Sequence, residues 1–169
     1  MTDQPQLDQA RRIAHEAKAR LAGRMEILFV TADYYGGVPR ACMDGWGRRH
    51  LVVSPDGLVL PCHLAHTLPG LTFDRAGTKP LLDIWEQSES FNRFRGEAWM
   101  ADTCRTCAYR TVDFGGCRCQ AFHVTGRVEA VDPVCRWSPD HHLVHRARQL
   151  AEATSEEAPF FKRELHMVP

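Results

Sequence analysis

The sequence has 169 residues, enough for one domain with a modest core or for a small domain with attached segments. Its 21 acidic and 21 basic residues cancel, so charge gives no reason to expect a nucleic acid or an anionic membrane as a partner. No apolar stretch reaches the ~20 residues of a membrane-spanning helix. Residues 1–21 are polar and lack the apolar centre of a signal peptide.

These features predict a cytoplasmic protein, in which the seven cysteines are kept reduced. An odd number of cysteines also fits poorly with a closed set of disulfides. Ligation of a metal or a cluster is therefore the leading interpretation of these thiols.

The first elements in the chain are a helix and a strand. Apolar residues at helical spacing predict a helix over residues 7–22, which ends at Gly23. The short apolar run of residues 25–31 predicts a buried strand. One helix and one strand cannot bury each other alone, so we expect this unit to be the end of a larger α/β domain.

Shorter elements follow. Residues 50–54 and 58–62 flank Pro55-Asp56-Gly57 and predict a β-hairpin. Short helical turns are expected at residues 81–86 and 91–94. Ser138 and Pro139 mark the start of a helix that runs to about residue 153. The charged residues 154–169 are expected to form a flexible tail.

The candidate ligands are the seven cysteines: Cys42, Cys62, Cys104, Cys107, Cys117, Cys119 and Cys135. Cys104 and Cys107 form a C-x-x-C pair, a spacing at which one turn aims two thiolates at one metal or cluster. Gly115 and Gly116 let the backbone approach a cluster closely and leave N–H groups free to bond its sulfurs.

Asp113 is the candidate eighth ligand. Seven cysteines complete one four-ligand site and leave three thiols, whereas adding Asp113 completes two sites. A carboxylate ligates iron, although it is a harder donor than thiolate and would alter the potential of a cluster. The alternative is a turn residue whose side chain bonds the next backbone amides. The number of candidate ligands does not decide between the two interpretations.

Two alternatives to clusters are compatible with the cysteines. Some cysteines could simply be buried as small hydrophobes, but most lie in polar sequence rich in turns. Two zinc sites would also use paired cysteines, and would make the chain a non-catalytic interaction module. The single C-x-x-C and the C-x-C of Cys117 and Cys119 favour clusters only mildly.

The spacing resembles the SPASM domain, the auxiliary cluster-binding extension of radical S-adenosylmethionine enzymes, in these residues: Gly57-x4-Cys62, Cys104-x2-Cys107-x5-Asp113-x3-Cys117 and Cys135. Most members of that family have cysteine where this chain has Asp113. The phrase from Asp113 to Phe122 resembles the peptide cyclases that begin pyrroloquinoline quinone biosynthesis. The resemblance covers about residues 25–142 and includes Phe91 to Gly96 and Asp132 to Cys135.

The resemblance implies two interleaved iron–sulfur clusters. The first, of 2Fe-2S or 4Fe-4S type, would have the ligands Cys42, Cys62, Cys117 and Cys119. The second, of 4Fe-4S type, would have the ligands Cys104, Cys107, Asp113 and Cys135. The implied fold class is α+β, with a hairpin, cluster-binding loops and flanking helices over residues 36–153. Residues 1–35 would be the terminal helix and strand of a radical S-adenosylmethionine partial barrel.

The C-x3-C-x2-C motif that binds the S-adenosylmethionine-cleaving cluster is absent from the sequence. The resemblance implies that this motif belongs to a barrel domain, so the chain is expected not to be catalytic alone. It implies a role in electron transfer and scaffolding within an oxidoreductase that crosslinks a glutamate and a tyrosine of a precursor peptide. The implied partners are the barrel domain, the peptide, a small peptide chaperone and a reductant such as flavodoxin.

Three arginines lie close to the candidate ligands in sequence: Arg105, Arg110 and Arg118. We expect them to offset the negative charge of ligated thiolates rather than to bind a substrate.

Overall fold

The computed structural model describes residues 3–36 and 38–153. Its helices are α1 (Gln4–Arg20), α2 (Leu81–Gln87), α3 (Glu89–Asn92), α4 (Asp102–Arg105), α5 (Arg110–Asp113), α6 (Arg118–Thr125) and α7 (His141–Ala153). Its strands are β1 (Val52–Val53) and β2 (Val59–Leu60). This mixture confirms the α+β class. The predicted tail of residues 154–169 lies outside the described residues.

The chain divides into two compact units, one of which spans residues 30–144 and contains every candidate ligand. The other combines, among the described residues, 3–29 with 145–153. No helix in the described part of the chain has both the length and the apolar composition needed to cross a membrane.

Helix α1 begins with a capping box. The Gln6 backbone N–H donates to Asp3 Oδ1 at 2.8 Å, and the Asp3 N–H donates to the Gln6 side chain at 3.3 Å. Pro5 in the first turn fits this start because its missing N–H would have no partner there. The helix ends at Arg20, shortly before Gly23, which has a φ of +76°. The predicted first helix is therefore confirmed, with a start three residues earlier.

The strand predicted over residues 25–31 is wrong, because these residues form no strand. Leu28 is 80% exposed and Val30 is 81% exposed. A strand is stable when a neighbour pairs its backbone groups and covers its apolar side chains. No segment among the described residues pairs with this one.

The predicted hairpin is confirmed, and it positions Cys62. Strands β1 and β2 pair antiparallel, with Val52 opposite Leu60 and Val53 opposite Val59. Gly57 adopts the positive φ of +89° that the turn requires. Pro61 directly follows β2, and because it has no N–H to donate, the pairing ends at Leu60, two residues before Cys62.

The predicted helical segments near residues 81–94 and 139–153 are confirmed as α2, α3 and α7. A hydrophobic core next to the cysteines contains Trp46 and Phe94, whose rings meet edge to face at 5.2 Å, together with Cys62 and Cys119. The Trp46 indole N–H donates to the Ser90 carbonyl at 2.8 Å, which ties residue 46 to α3. The segments that bear Cys62 and Cys119 thus pack in one core.

A second core cluster contains Val59, Ile84 and Phe91, each fully buried. A substitution in this cluster tests how the stability of the hairpin depends on its packing against α2. Replacing Ile84 by Ala should lower the free energy of unfolding by about 2–5 kcal/mol, because a buried side chain is lost and a cavity is left. The measurement is urea unfolding followed by circular dichroism.

The matched control is Leu82→Ala on the same helix, where the side chain is 62% exposed. This change should alter the free energy of unfolding by no more than about 0.5 kcal/mol. Equal effects of the two substitutions would contradict the packing of α2 described above.

Candidate cluster-binding sites

The structure brings four cysteine side chains together: Cys42, Cys62, Cys117 and Cys119. The Sγ atoms of Cys62 and Cys119 lie 3.8 Å apart. Two sulfurs bound to one tetrahedral metal at 2.3 Å would be separated by about 3.8 Å. The measured distance therefore fits two thiolates on one metal, whether this is an iron of a cluster or a zinc ion.

The four thiols form a hydrogen-bonded ring, in which Cys42 and Cys119 each contact both Cys62 and Cys117. Hydrogen bonds from Cys119 and Cys42 lower the pKa of Cys62 and that of Cys117. The same bonds raise the pKa of the two donors. The ring therefore stabilises thiolate, the form that ligates metals, at two of its four positions.

Local backbone structure aims these side chains. Cys117 is the N-cap of α6, and its Sγ accepts a hydrogen bond from the Gln120 N–H at 3.4 Å. The positive end of the helix also favours a thiolate there. Cys42 starts a short 3-10 turn whose next residues, Met43 and Asp44, have positive φ values of 52° and 57°. Left-handed backbone at two successive side-chain-bearing residues costs free energy, and such strain concentrates at binding sites.

The second set of predicted ligands lines a single cavity of about 580 Å³: Cys104, Cys107, Asp113 and Cys135. The Sγ of Cys107 accepts a hydrogen bond from the Tyr109 N–H at 3.4 Å. Burial raises the pKa of the Cys104 and Cys135 thiols, and the nearby Asp113 carboxylate acts in the same direction. Thiolates and a carboxylate gathered in such a place would therefore need a positive partner.

Asp113 makes the turn contact that its alternative interpretation predicts. The Gly115 N–H donates to Asp113 Oδ1 at 2.9 Å, and Phe114 between them adopts a positive φ of 50°. No protein donor in the described part of the chain contacts Oδ2. The turn role therefore occupies one oxygen and leaves the other free to face the cavity, so the two interpretations are compatible.

No group of three or more His, Cys, Asp or Glu side chains in residues 3–36 and 38–153 is arranged around one common metal-ion position. The two sets are defined by the mutual contacts of the first and by the shared cavity of the second.

Asp132 is a buried residue that the sequence analysis missed. It is 1% exposed and accepts hydrogen bonds from the Cys117 N–H at 2.7 Å and from the Val134 N–H and the Gln120 side chain, both at 2.9 Å. It also lines the cavity of the second set. The sequence feature that could have indicated Asp132 is its position three residues before the candidate ligand Cys135. Asp132 therefore connects the backbone of the first set to the wall of the second.

Comparison with known proteins agrees with this geometry. Residues 42–108 match the model of the SPASM family, which is described as an iron-sulfur cluster-binding domain. The matched stretch contains four of the candidate ligands, Cys42, Cys62, Cys104 and Cys107.

Over most of its length the chain is also similar to proteins named PqqA peptide cyclase. It is 48% identical to the one from Ruegeria pomeroyi over 95% of the chain, and 46% identical to the one from Methylobacterium sp. (strain 4-46) over 96%. A third, from Streptomyces rochei, is 48% identical over 92% of the chain. The chain spans only about two fifths of the length of these relatives, since the matches cover 43%, 42% and 42% of them.

Gly116 allows the close approach of Asp132 to the Cys117 backbone. A Cβ atom at Gly116 would lie 2.3 Å from Asp132 Oδ2, and the residue has a φ of +75°. We expect Gly116→Ala to lower the free energy of unfolding by the usual cost of left-handed backbone, about 1–2 kcal/mol, and by a further ~1–3 kcal/mol because of the clash. Urea unfolding measures the sum.

Gly126→Ala is the matched control, because Gly126 has a φ of +74° and open space where a Cβ would stand. In this variant the free energy of unfolding should fall only by the cost of left-handed backbone. Equal losses in the two variants would contradict the tight contact between Gly116 and Asp132.

Proposed function

We propose that this chain is the auxiliary iron–sulfur domain of a radical S-adenosylmethionine peptide cyclase and that it binds two clusters. The observation that carries the proposal is the convergence of four cysteines, from segments far apart in sequence, in a domain of an iron–sulfur family. Thiols in a reducing compartment have no disulfide role that would explain such convergence. All seven cysteines are free thiols in this structure.

The first cluster, of 2Fe-2S or 4Fe-4S type, would be held by the hydrogen-bonded ring of Cys42, Cys62, Cys117 and Cys119. The second, of 4Fe-4S type, would be held by Cys104, Cys107, Asp113 and Cys135 around their cavity. Bound iron–sulfur clusters supply one-electron transfer. The protein contributes thiolates, backbone N–H donors such as those of Gln120 and Tyr109, and limited exposure to solvent.

The activity of the whole enzyme would be the crosslinking of a glutamate and a tyrosine in the precursor peptide PqqA, in pyrroloquinoline quinone biosynthesis. The name of the relatives supports PqqA as the substrate. This chain would serve electron transfer and shape the substrate site without being catalytic alone, because it has no C-x3-C-x2-C motif. S-adenosylmethionine would bind only to the barrel domain.

The exposed apolar segment before residue 31 supports a missing neighbour. Leu28 and Val30 are almost fully exposed, and their backbone has no strand partner in the described residues. Such a segment is suited to pair with the edge of another sheet. We infer that residues 1–35 complete a radical S-adenosylmethionine barrel and that residues 36–153 form the cluster domain.

The remaining partners follow from the same resemblance. They are the peptide chaperone PqqD and a reductant such as flavodoxin, both in the cytoplasm. The formal net charge of zero supports the exclusion of nucleic acids and membranes as partners.

A zinc-stabilised interaction module is the second candidate. One observation favours it, since the 3.8 Å between the Cys62 and Cys119 sulfurs fits a tetrahedral zinc ion as well as an iron. It would explain the family match less well, because that match is to an iron–sulfur domain.

Anaerobic purification separates the two candidates. The proposal predicts brown protein that contains iron and acid-labile sulfide, with charge-transfer absorption in the visible range that bleaches on reduction with dithionite. Colourless protein with stoichiometric zinc and no sulfide would refute it. Metal analysis by mass spectrometry and a sulfide assay are sufficient.

Substitution of Asp113 tests the second cluster by itself. Asp113→Ala should lose nearly all of the iron and sulfide of that cluster and spare the first, because one of four ligands is gone. Asp113→Asn should also lose it, although its amide oxygen can still accept the Gly115 N–H bond. Iron analysis and Mössbauer spectra measure the content.

The control is Asp102→Ala, which removes an exposed carboxylate from the same loop region and breaks only an ion pair with Arg105. It should leave both clusters in place. A fully loaded Asp113→Asn variant would show that the carboxylate serves the turn alone.

A further inference from the structure

The side chain of Arg118 lies inside the domain although it carries a charge. The residue follows Cys117, precedes Cys119 and is 2% exposed. Its Nη1 donates to the carbonyls of Val128 at 3.0 Å and Ala130 at 2.8 Å, and its Nη2 donates to the carbonyl of Gly115. The guanidinium also stacks 4.6 Å from the centre of the Trp99 ring. Neutral groups thus fix its position.

No carboxylate among the described residues forms an ion pair with Arg118. Its Nε is buried and has no hydrogen-bond acceptor in that part of the chain. An arginine stays protonated in proteins, so the site contains a buried cation that the polypeptide compensates only partly. Breaking or omitting the partner of a buried charge costs several kcal/mol. The fold therefore implies a negative group that completes this environment.

The groups that act electrostatically on Arg118 are the buried Asp132 and members of both sets of ligands. They are, in order of strength, Asp132, then the thiols of Cys117, Cys104 and Cys42. Cys117 and Cys42 belong to the first set, and Cys104 belongs to the second. Gly115, whose carbonyl accepts a hydrogen bond from Arg118, lines the cavity of the second set. Arg118 accordingly lies within electrostatic reach of both sites.

The two other arginines near the ligands differ from Arg118 in burial and in pairing. The side chain of Arg105 is 49% exposed and forms an ion pair with Asp102. That of Arg110 is 40% exposed and pairs with Glu97 at 3.1 Å. A surface pair in water adds little to the potential of a buried site. Of the three arginines expected to offset thiolate charge, only Arg118 has the burial that makes its charge effective.

We propose that Arg118 is a shared positioning and redox-tuning residue, whose buried cation raises the reduction potentials of both clusters and whose Nε–H donates to a cluster sulfur. The inference rests on the proposed function, since it requires the clusters. Reduction of either cluster adds one electron from an external reductant and so one negative charge, while Arg118 itself gains and loses nothing. A nearby cation stabilises the reduced state more than the oxidised state.

The experiment is a dithionite titration, with redox dyes and electron paramagnetic resonance, of the full chain loaded anaerobically with iron and sulfide. Arg118→Gln removes the charge, and Arg118→Lys keeps it but lacks the Nε–H. In Arg118→Gln, the ratio of reduced to oxidised cluster at a fixed potential should fall at least tenfold at both sites. That change equals about 59 mV for one electron. In Arg118→Lys the ratio should change less than in Arg118→Gln.

Arg110→Gln is the matched control. It removes a charge beside Cys107, whose carbonyl Arg110 contacts at 3.3 Å, but from an exposed position. In Arg110→Gln the ratio of reduced to oxidised cluster at a fixed potential should change less than threefold. If Arg118→Gln retains both clusters with potentials no more altered than those of Arg110→Gln, the proposal is overturned. A shift at one site only would overturn the shared role.

Failure of a variant to hold its clusters is also decisive. Loss of clusters from Arg118→Gln, with loading and near-normal potentials in Arg118→Lys, would support a need for the charge. Loss from both variants would assign Arg118 a purely structural role and overturn the tuning. Zinc in the unsubstituted chain would refute the proposed function and this inference together, whereas iron with unchanged potentials would refute this inference alone.

Discussion

The contact among the thiols of Cys42, Cys62, Cys117 and Cys119 joins segments that are distant in the sequence. Bringing such segments together costs loop-closure entropy, which the small core next to them offsets only in part. In the proposed function, bonds to iron would supply the rest, since metal binding to a site that exists only in the folded chain stabilises that fold. Three local structures position these thiols, namely the hairpin, the strained turn after Cys42 and the N-terminus of α6.

Between the two sets of ligands lies a layer of buried polar groups, formed by Asp132, Arg118 and the backbone at Gly115 and Gly116. Asp132 accepts a hydrogen bond from the Cys117 N–H, and Arg118 donates to three carbonyls. Gly116 leaves room for Asp132, and Gly115 leaves room for Trp99, the ring against which Arg118 lies. Buried polar groups of this kind are tolerated only when nearly every donor and acceptor is used. The layer therefore links the geometry of one site to that of the other, as interleaved ligands also do.

Outside this region, the residues before 31 behave differently. Leu28 and Val30 expose most of their apolar surface, although their sequence has the composition of a buried strand. The relatives are more than twice as long as the stretch that this chain matches. In the proposed function the partner of this segment belongs to another part of the protein. The segment would then form no strand by itself, because both its hydrogen bonds and its burial depend on that partner.

The sequence alone determined the local elements, namely helix α1, the hairpin around Gly57 and helix α7, because capping residues, turn residues and periodicity act within a few positions. It also indicated the ligand types, through the C-x-x-C pair and the spacing of Asp113 and Cys117. The prediction of a strand at residues 25–31 was wrong, because the pairing of a strand with its neighbour is not a local property. Only the tertiary structure decided that Asp113 bonds the Gly115 amide, that Asp132 bonds that of Cys117, and that Arg118 is buried while Arg105 and Arg110 are exposed. Burial and hydrogen-bond partners depend on segments far apart in the chain, and no short pattern encodes them.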